Sequence, residues 1–279
     1  WSKWVVGNID KWSGWDAFSR LDSVAAGKLE ISELQPYVHA HTFQMNFMGF
    51  LRLYQVTGDK SLLNKVEGAW NYIHEHQMYI TGGVSVAEHY EKGYIKPLTG
   101  NIIETCATMS WMQLTQMLLQ LTGDTKYADA IEKLMLNHVF AAQDALTGTC
   151  RYHTAPNGTK PNGYFHGPDC CTASGHRIIS LLPSFFYAQK ENQFYINQLL
   201  PSGYKAADVD FTVGGNYPTS ENVVITINKC KSKTLNIRIP AWCENPSVSI
   251  NGKAVDGVSE EKVAGWANAY SYAIWLSKK

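Results

Sequence analysis

Two adjacent cysteines, Cys170 and Cys171, are the first residues in the chain whose placement suggests chemistry. They sit in the segment 144–176, DALTGTCRYHTAPNGTKPNGYFHGPDCCTASGH, which is rich in Gly, Pro, Asn and His and has no apolar period. Functional side chains concentrate in such connecting segments. Two plainer readings stand beside this one: a pair of small buried hydrophobes, or a strained vicinal disulfide. A second candidate is Glu104-Thr105-Cys106. Residues i and i+2 do not share a helix face, so both reach one metal only at a helix start or in irregular backbone. The preceding Thr99-Gly100-Asn101 predicts such a start. Asn101 and Glu104 also have the spacing of a capping box, and that reading stays open. Cys106 falls in the first turn, where the helix dipole favours a thiolate.

Three thiols and one carboxylate make a soft, four-donor set for which zinc is the default metal. The gap of 64 residues between the two halves is far from a zinc-finger spacing, so the sequence permits this site without requiring it. Glu88, in TGGVSVAEHYEKG, follows a Gly-Gly turn and is either a loop carboxylate in water or an acid/base group. His39 and His41, in Pro-Tyr-Val-His-Ala-His, lie just before an amphipathic segment. A satisfied or solvent-facing side chain is the usual meaning of such histidines, though two of them, two apart after a proline, is more than usual. Asp59, Asp124 and the charges of ENPSVSINGK are read as turns and solvated surface.

These residues need elements to hold them. Segments 41–56 and 106–121 each carry a broad apolar face and each stop at Thr-Gly-Asp. The stretches LYQVTGDKSLLNKVE and LLQLTGDTKYADAIE form an internal repeat about 65 residues apart. Gly supplies a left-handed helix stop and Asp caps the next helix, so each unit is a helical hairpin. Repeated hairpins at this scale predict a solenoid or a toroidal α/α barrel. A short helix is expected at roughly 176–188. Then QFYINQLL, NVVITINK, TLNIRIP and SVSING read as strands of an antiparallel β-domain, several with half-buried alternation, and Asn251-Gly252 as a hairpin turn. The fold class is therefore α+β, with 1–189 a helical portion and 190–279 an antiparallel β-domain. A closed barrel of about twelve helices needs nearer 300 residues, so 1–189 is either part of one, with an apolar face left for the rest, or a shorter helical array.

Composition narrows the function. At 279 residues the chain buries a core without disulfide staples, and six cysteines at this length are no disulfide framework. Lys plus Arg equals Asp plus Glu at 24 each, which argues against nucleic acid and anionic membrane surfaces as partners. No apolar run reaches the roughly 18 residues of a membrane span. Trp1 opens the chain without the basic and apolar regions of a targeting peptide, and the compartment is left open. Aromatics make up 12% of residues, enough for a core with rings to spare for stacking on sugars.

Taken together, YVHAHT (37–42), LYQVTGD (53–59), TGGVSVAE (81–88), ETCATMSW (104–111), LTGDTKYADAIEKLMLNHVFAAQD (121–144), DCCTASGHR (169–177) and LNIRIPAWCENPSVSING (235–252) resemble glycoside hydrolase family 127, the β-L-arabinofuranosidases. E-T-C-A combined with C-C is the specific part. The resemblance implies the C-terminal part of an α/α barrel catalytic domain followed by a β-sandwich. It also implies Zn²⁺ held by Glu104, Cys106, Cys170 and Cys171, with Cys170 as nucleophile, Glu88 as general acid/base and His39 in the sugar pocket, where the candidate substrate-binding set is His39, His41, Tyr152 and His166. The expected activity is retaining exo-hydrolysis of arabinofuranose-type, plant-polysaccharide-derived glycosides. Many relatives read C-C-P-P-N where this chain has Cys170-Cys171-Thr172-Ala173-Ser174, so the exact sugar is not implied. The alternative from another class is a non-catalytic, zinc-stabilised carbohydrate-binding or scaffold protein, which has no need of Glu88 beside the cysteines.

Overall fold

The computed structural model describes residues 3–4, 7–8, 18–34, 38–92, 97–158, 169–231, 234–244, 246–254, 266–269 and 274–278, the last two stretches by their backbone. Helices come first and small sheets follow, in two compact units: Trp1–Thr122 with Ala130–Ser180, and Gly123–Asp129 with Leu181–Lys279. No helix among the described residues is long and apolar enough to cross a membrane.

The helices are α1 (Leu21–Ala25), α2 (Ala40–Thr57), α3 (Lys60–His76), α4 (Thr105–Thr122), α5 (Thr125–Leu134), α6 (Phe140–Ala142) and α7 (Cys170–Leu181). Apolar residues three and four apart form the buried stripe of α2, including Phe43, Phe47, Phe50 and Leu51. The two Thr-Gly-Asp stops behave as their residues dictate. Gly58 and Gly123 take left-handed φ values of 71° and 74°, which cost a residue without Cβ little. Asp59 then accepts from Ser61 N at 3.0 Å, and Asp124 from Lys126 N at 3.0 Å. In the first unit, α3 packs on α4 through Trp70 and Trp111, stacked at 5.3 Å, and Trp70 donates its indole N–H to Thr115 Oγ1 at 2.9 Å. Gln44 of α2 is fully buried because both ends of its amide are used: Ser110 donates to Oε1 and Nε2 donates to Tyr90 Oη at 2.8 Å.

Two expected boundaries move. The helix expected at 176–188 begins instead at Cys170, runs to Leu181 and tightens into a 3₁₀ turn, Leu182–Phe185, that contains Pro183. Cys170 and Cys171 are thus the first residues of a helix rather than the loop before it. The cause is Asp169, whose carboxylate accepts from Thr172 N at 2.8 Å and starts a helix that the composition Cys-Cys-Thr-Ala-Ser-Gly does not advertise. Asn101 does not cap α4. Ile103, at φ 56°, breaks the backbone between them, and the helix starts at Thr105.

The second unit carries strands β1 (Tyr187–Lys190), β2 (Gln193–Ile196), β3 (Ser202–Lys205), β4 (Val209–Gly215), β5 (Val223–Cys230), β6 (Thr234–Arg238), β7 (Pro246–Ile250), β8 (Lys253–Ala254), β9 (Trp266–Ala269) and β10 (Ile274–Lys278). They form a four-stranded sheet, β1-β2-β6-β9, and a six-stranded sheet, β3-β4-β5-β10-β7-β8. One core serves both sheets: Phe194, Ile196, Leu235 and Ile237 from the first, with Val209, Phe211, Val213, Val223, Ile225 and Val248 from the second. Asn251 and Gly252, both at positive φ, turn β7 into β8 as expected.

Two features of this unit depart from expectation. Pairing is not wholly antiparallel, because β2 and β6 run parallel. Between them the chain passes through β3–β5 of the other sheet and returns in the same direction. Strand β6 is also not half-buried. Asn236 and Arg238, the polar residues of its apolar–polar alternation, are buried. They stay polar because each is paired: Asn236 Nδ2 donates to Gln193 Oε1 at 2.9 Å, and Arg238 donates to Asn197 O and to Asp129.

Candidate metal centre and active site

Three stretches of the first unit are laced together around the candidate residues. In the first, Ala40 N donates to Glu88 O at 2.8 Å and Ala87 N to Asn101 O at 2.9 Å. In the second, Ser85 accepts from Glu104 N through its hydroxyl at 3.0 Å and from Ile103 N through its carbonyl at 3.0 Å. In the third, Thr105 N donates to Tyr152 O at 2.9 Å and Thr154 N to Ile102 O at 3.1 Å. Asp144, paired with Arg151 at 3.1 Å, closes the loop that delivers Tyr152. Ser85, Ala87 and Ile103 all sit at positive φ (96°, 46° and 56°). Each such residue costs on the order of 1–3 kcal/mol, and such strain clusters at functional sites. Here it flanks Glu88 and Glu104.

Helix α7 closes the site from the other side. Its inward face, one helical turn apart, is Cys170, Cys171, Ser174 and Gly175. A Cβ on Gly175 would lie 2.4 Å from Cys150 Cβ and 3.2 Å from Thr105 Cγ2. The missing side chain is therefore what lets α7 approach the start of α4. As a result Cys171 Sγ lies 3.4 Å from Cys106 Sγ and 3.5 Å from Glu104 Oε1.

Donor atoms of Glu104, Cys106, Cys170 and Cys171 all lie within 4.8 Å of one another. A tetrahedron with Zn–S bonds of about 2.3 Å has S···S edges of about 3.8 Å, so the cluster has the size of a four-coordinate site. Glu104 is 1% exposed, and its Oε2 is buried without a hydrogen-bond partner. A buried carboxylate with one oxygen orphaned and the other against the Cys171 thiol is costly unless a cation or a proton compensates it, so the donor set fits a metal ion. Cys170 and Cys171 are free thiols, as are the other four cysteines, which removes the vicinal-disulfide reading.

The crowding shows in the proton affinities. Burial, reinforced by the Cys106 sulfur, pushes the Glu104 carboxyl up to about 8. The Cys171 hydrogen bond pulls Cys106 down, and that same contact, with burial, drives Cys171 well above the ordinary thiol range. Burial also raises Cys170. Without a cation, the cluster holds its protons on Glu104, Cys170 and Cys171.

Glu88 stands beside this cluster. The Tyr152 hydroxyl donates to Glu88 Oε1 and lies 3.9 Å from Cys170 Sγ, so one phenolic oxygen touches both. His39 Nε2 is 3.5 Å from Glu88 Oε2, and donor atoms of His39, Glu88 and Glu104 also lie within 4.8 Å of one another. His41 is two residues further along, its ring 6.2 Å from that of His39. Burial lowers its proton affinity. His166 lies outside the described residues. Three residues not singled out in the sequence join the site. The His89 ring lies 5.6 Å from that of His39, tilted by 57°. His153 lies 4.7 Å from the Tyr152 ring and pairs its backbone with that of Glu104. Ser174 Oγ is 3.2 Å from Cys106 Sγ. His89 and His153 are immediate neighbours of Glu88 and Tyr152, and that adjacency is the signal the sequence offers. Ser174 is visible only once α7 is known to begin at Cys170.

Helices of this kind leading into paired small sheets occur in solved glycoside hydrolases. The chain superposes on a GH127 β-arabinofuranosidase with a TM-score of 0.76 at 23% identity, covering 86% of this chain and 43% of that one. It superposes on a GH127 β-L-arabinofuranosidase from Geobacillus stearothermophilus T6 with a TM-score of 0.72 at 24% identity, covering 86% and 42%. At these identities the likeness is one of fold. The family follows from sequence models: residues 13–184 match the β-L-arabinofuranosidase GH127 catalytic domain and residues 192–271 the GH127 middle domain. The chain belongs to the GH127 β-L-arabinofuranosidase family. It is also 24% identical over 258 residues to the non-reducing end β-L-arabinofuranosidase of Bifidobacterium longum subsp. longum, covering 81% of this chain and 39% of that protein. The chain thus spans about two-fifths of the length of that curated relative.

Proposed function

We propose that this chain carries the chemical centre of a retaining exo-glycoside hydrolase acting on β-L-arabinofuranosides or closely related plant-derived glycosides. Residues 1–189 would be the C-terminal part of an α/α barrel catalytic domain and 190–279 a β-sandwich domain. The observation that supports this best is the Tyr152 hydroxyl in contact with both Glu88 and Cys170. A carboxyl group and a sulfur thus flank one phenolic oxygen, and the sulfur belongs to a four-donor cluster. A purely structural metal site has no use for Glu88 there.

Glu104, Cys106, Cys170 and Cys171 would hold Zn²⁺. When bound, zinc supplies the positive charge that keeps its thiols deprotonated. Cys170 is the exposed sulfur of the three and so the one that a sugar reaches. Its lone pair attacks the anomeric carbon as the glycosidic C–O bond breaks, and Glu88 gives its proton to the departing oxygen. In the second step Glu88 takes a proton from water, the water oxygen bonds to the anomeric carbon, and the C–S bond breaks to return the thiolate. His39, His41 and Tyr152, with His166, would contact the sugar hydroxyls. The use of sulfur replaces the second carboxylate of ordinary retaining glycosidases.

Leaving-group dependence tests the assignment. Glu88→Gln should lower turnover of alkyl glycosides by roughly 10²–10⁴-fold and that of activated aryl glycosides far less, because the latter leave without a proton. Cys170→Ser should abolish both. Equal loss on the two substrate types in Glu88→Gln, or activity retained in Cys170→Ser, would overturn these roles and favour a binding or scaffold function.

A further inference from the structure

The three sulfurs of the cluster differ in what surrounds them. Cys171 is fully buried and Cys106 is 2% exposed, whereas Cys170, though its sulfur joins the same cluster, is exposed. Cys106 has a hydroxyl pressed against it: Ser174 Oγ, itself 6% exposed, lies 3.2 Å from Cys106 Sγ. That contact joins two helices through residues 68 positions apart. It exists because Ser174 follows Cys170 by four residues on the inward face of α7, while Cys106 occupies the first turn of α4. A sulfur bound to a metal is a thiolate and has no proton to give. In that state the hydroxyl must be the donor, and the contact becomes an O–H···S⁻ hydrogen bond.

We propose that Ser174 is a positioning residue that divides the three thiolates between holding and reacting. Its hydroxyl ties up a lone pair of Cys106 and marks that sulfur as a permanent ligand. The hydroxyl beside Cys170, Tyr152 Oη, stands farther off at 3.9 Å, so Cys170 keeps its electron density for the substrate. Such outer contacts to metal ligands typically govern 10–100-fold of metal affinity. This inference rests on the metal-binding reading above and adds to it the residue that makes the ligands unequal.

The test uses the protein loaded with cobalt(II), whose sulfur-to-metal charge-transfer band reports on the thiolates without any substrate. Ser174→Ala removes the hydroxyl at a helical position that tolerates alanine, so folding, checked by circular dichroism, should persist. Loss of the hydrogen bond raises the energy of the sulfur lone pairs. The band should therefore shift to longer wavelength, and competition with a chelator should show affinity weakened by about tenfold or more. Ser174→Thr keeps the hydroxyl and should restore both. If the unaltered protein takes up no cobalt, the metal-binding reading itself fails. If it takes up cobalt but Ser174→Ala leaves band and affinity unchanged, or Ser174→Thr fails to restore them, the role assigned to Ser174 is wrong.

Discussion

Cys106 and Cys171 lie 65 positions apart in the chain, yet their sulfurs are 3.4 Å apart in the fold. Neither residue brings this about alone. Cys106 is held by the start of α4, which is tied to Tyr152 through Thr105 N. Cys171 is carried by α7, which seats against that start because Gly175 has no side chain. Two buried thiols this close, with a buried carboxylate beside them, compete for protons.

Removing one ligand should uncouple the metal from the fold. In Cys106→Ala, bound zinc measured by elemental analysis should fall from about one per chain to well below it. The melting temperature should fall with it, because metal-binding energy is folding energy. Chelator treatment of the unaltered protein should lower the melting temperature in the same direction. An unchanged zinc content in the variant would remove Cys106 from the ligand set.

Metal uptake should release protons and strengthen as pH rises. The Glu104 carboxyl, raised to about 8, favours the metal-free fold below its ordinary value of 4.5, and that contribution fades as pH climbs toward 8. Cys170 and Cys171 are also raised and hold protons throughout this range. Cys106 is lowered, so its proton is the first to leave and adds least to the linkage. Between pH 6 and 7, calorimetry in buffers of different ionisation enthalpy should record about three protons released per ion. Glu104→Gln should remove about one of them. An affinity that stays flat from pH 6 to 8 would contradict the cluster's proton inventory.

A methyl group at Gly175 should loosen the site. Helix propensity alone favours alanine there by about 1 kcal/mol. The new Cβ, however, would meet Cys150 Cβ at 2.4 Å, a contact that no rotation of Cys150 relieves. Overpacking of this kind costs roughly 1–3 kcal/mol, so the clash should win. Gly175→Ala should lower the denaturant midpoint and weaken metal binding together. A more stable variant with unchanged affinity would show that α7 has room to spare.

The Arg238–Asp129 pair in the second unit should respond asymmetrically. Arg238 is fully buried, while Asp129 is 23% exposed at its side chain. Asp129→Ala leaves a guanidinium in the core without its carboxylate, and breaking such a pair costs roughly 3–5 kcal/mol. Arg238→Met removes the buried charge and keeps much of the volume, leaving Asp129 with water at hand, so it should cost less. Chemical denaturation of the two variants checks the order. Arg238→Met proving the more damaging would mean that its hydrogen bond to Asn197 O outweighs the ion pair.

Local features are legible in the amino-acid sequence. The two Thr-Gly-Asp stops, with Gly58 and Gly123 left-handed and Asp59 and Asp124 bonded to the next helix, follow from backbone sterics and a short-range hydrogen bond. The Asn251-Gly252 turn does too. Glu104, Cys106, Cys170 and Cys171 can be named as a set because their residue types have a common chemistry. The start of α7 is not legible in this way, since five of its first six residues, Ala173 excepted, are weak helix formers and owe their conformation to Asp169 and to the buried face they present.

What the tertiary structure decided is everything that depends on which distant segments touch. The parallel pairing of β2 with β6 and the burial of Asn236 and Arg238 arise from a chain path that no local pattern encodes. Positive φ at Ser85, Ala87 and Ile103 is imposed by the interlaced loops around Glu88 and Glu104, because none of these residue types prefers it. The contacts of Ser174 with Cys106 and of Tyr152 with Cys170 required the docking of α7 on α4, and that of Tyr152 with Glu88 required two distant loops to meet. Sequence determined which groups were available to react; packing of elements distant along the chain determined which of them meet.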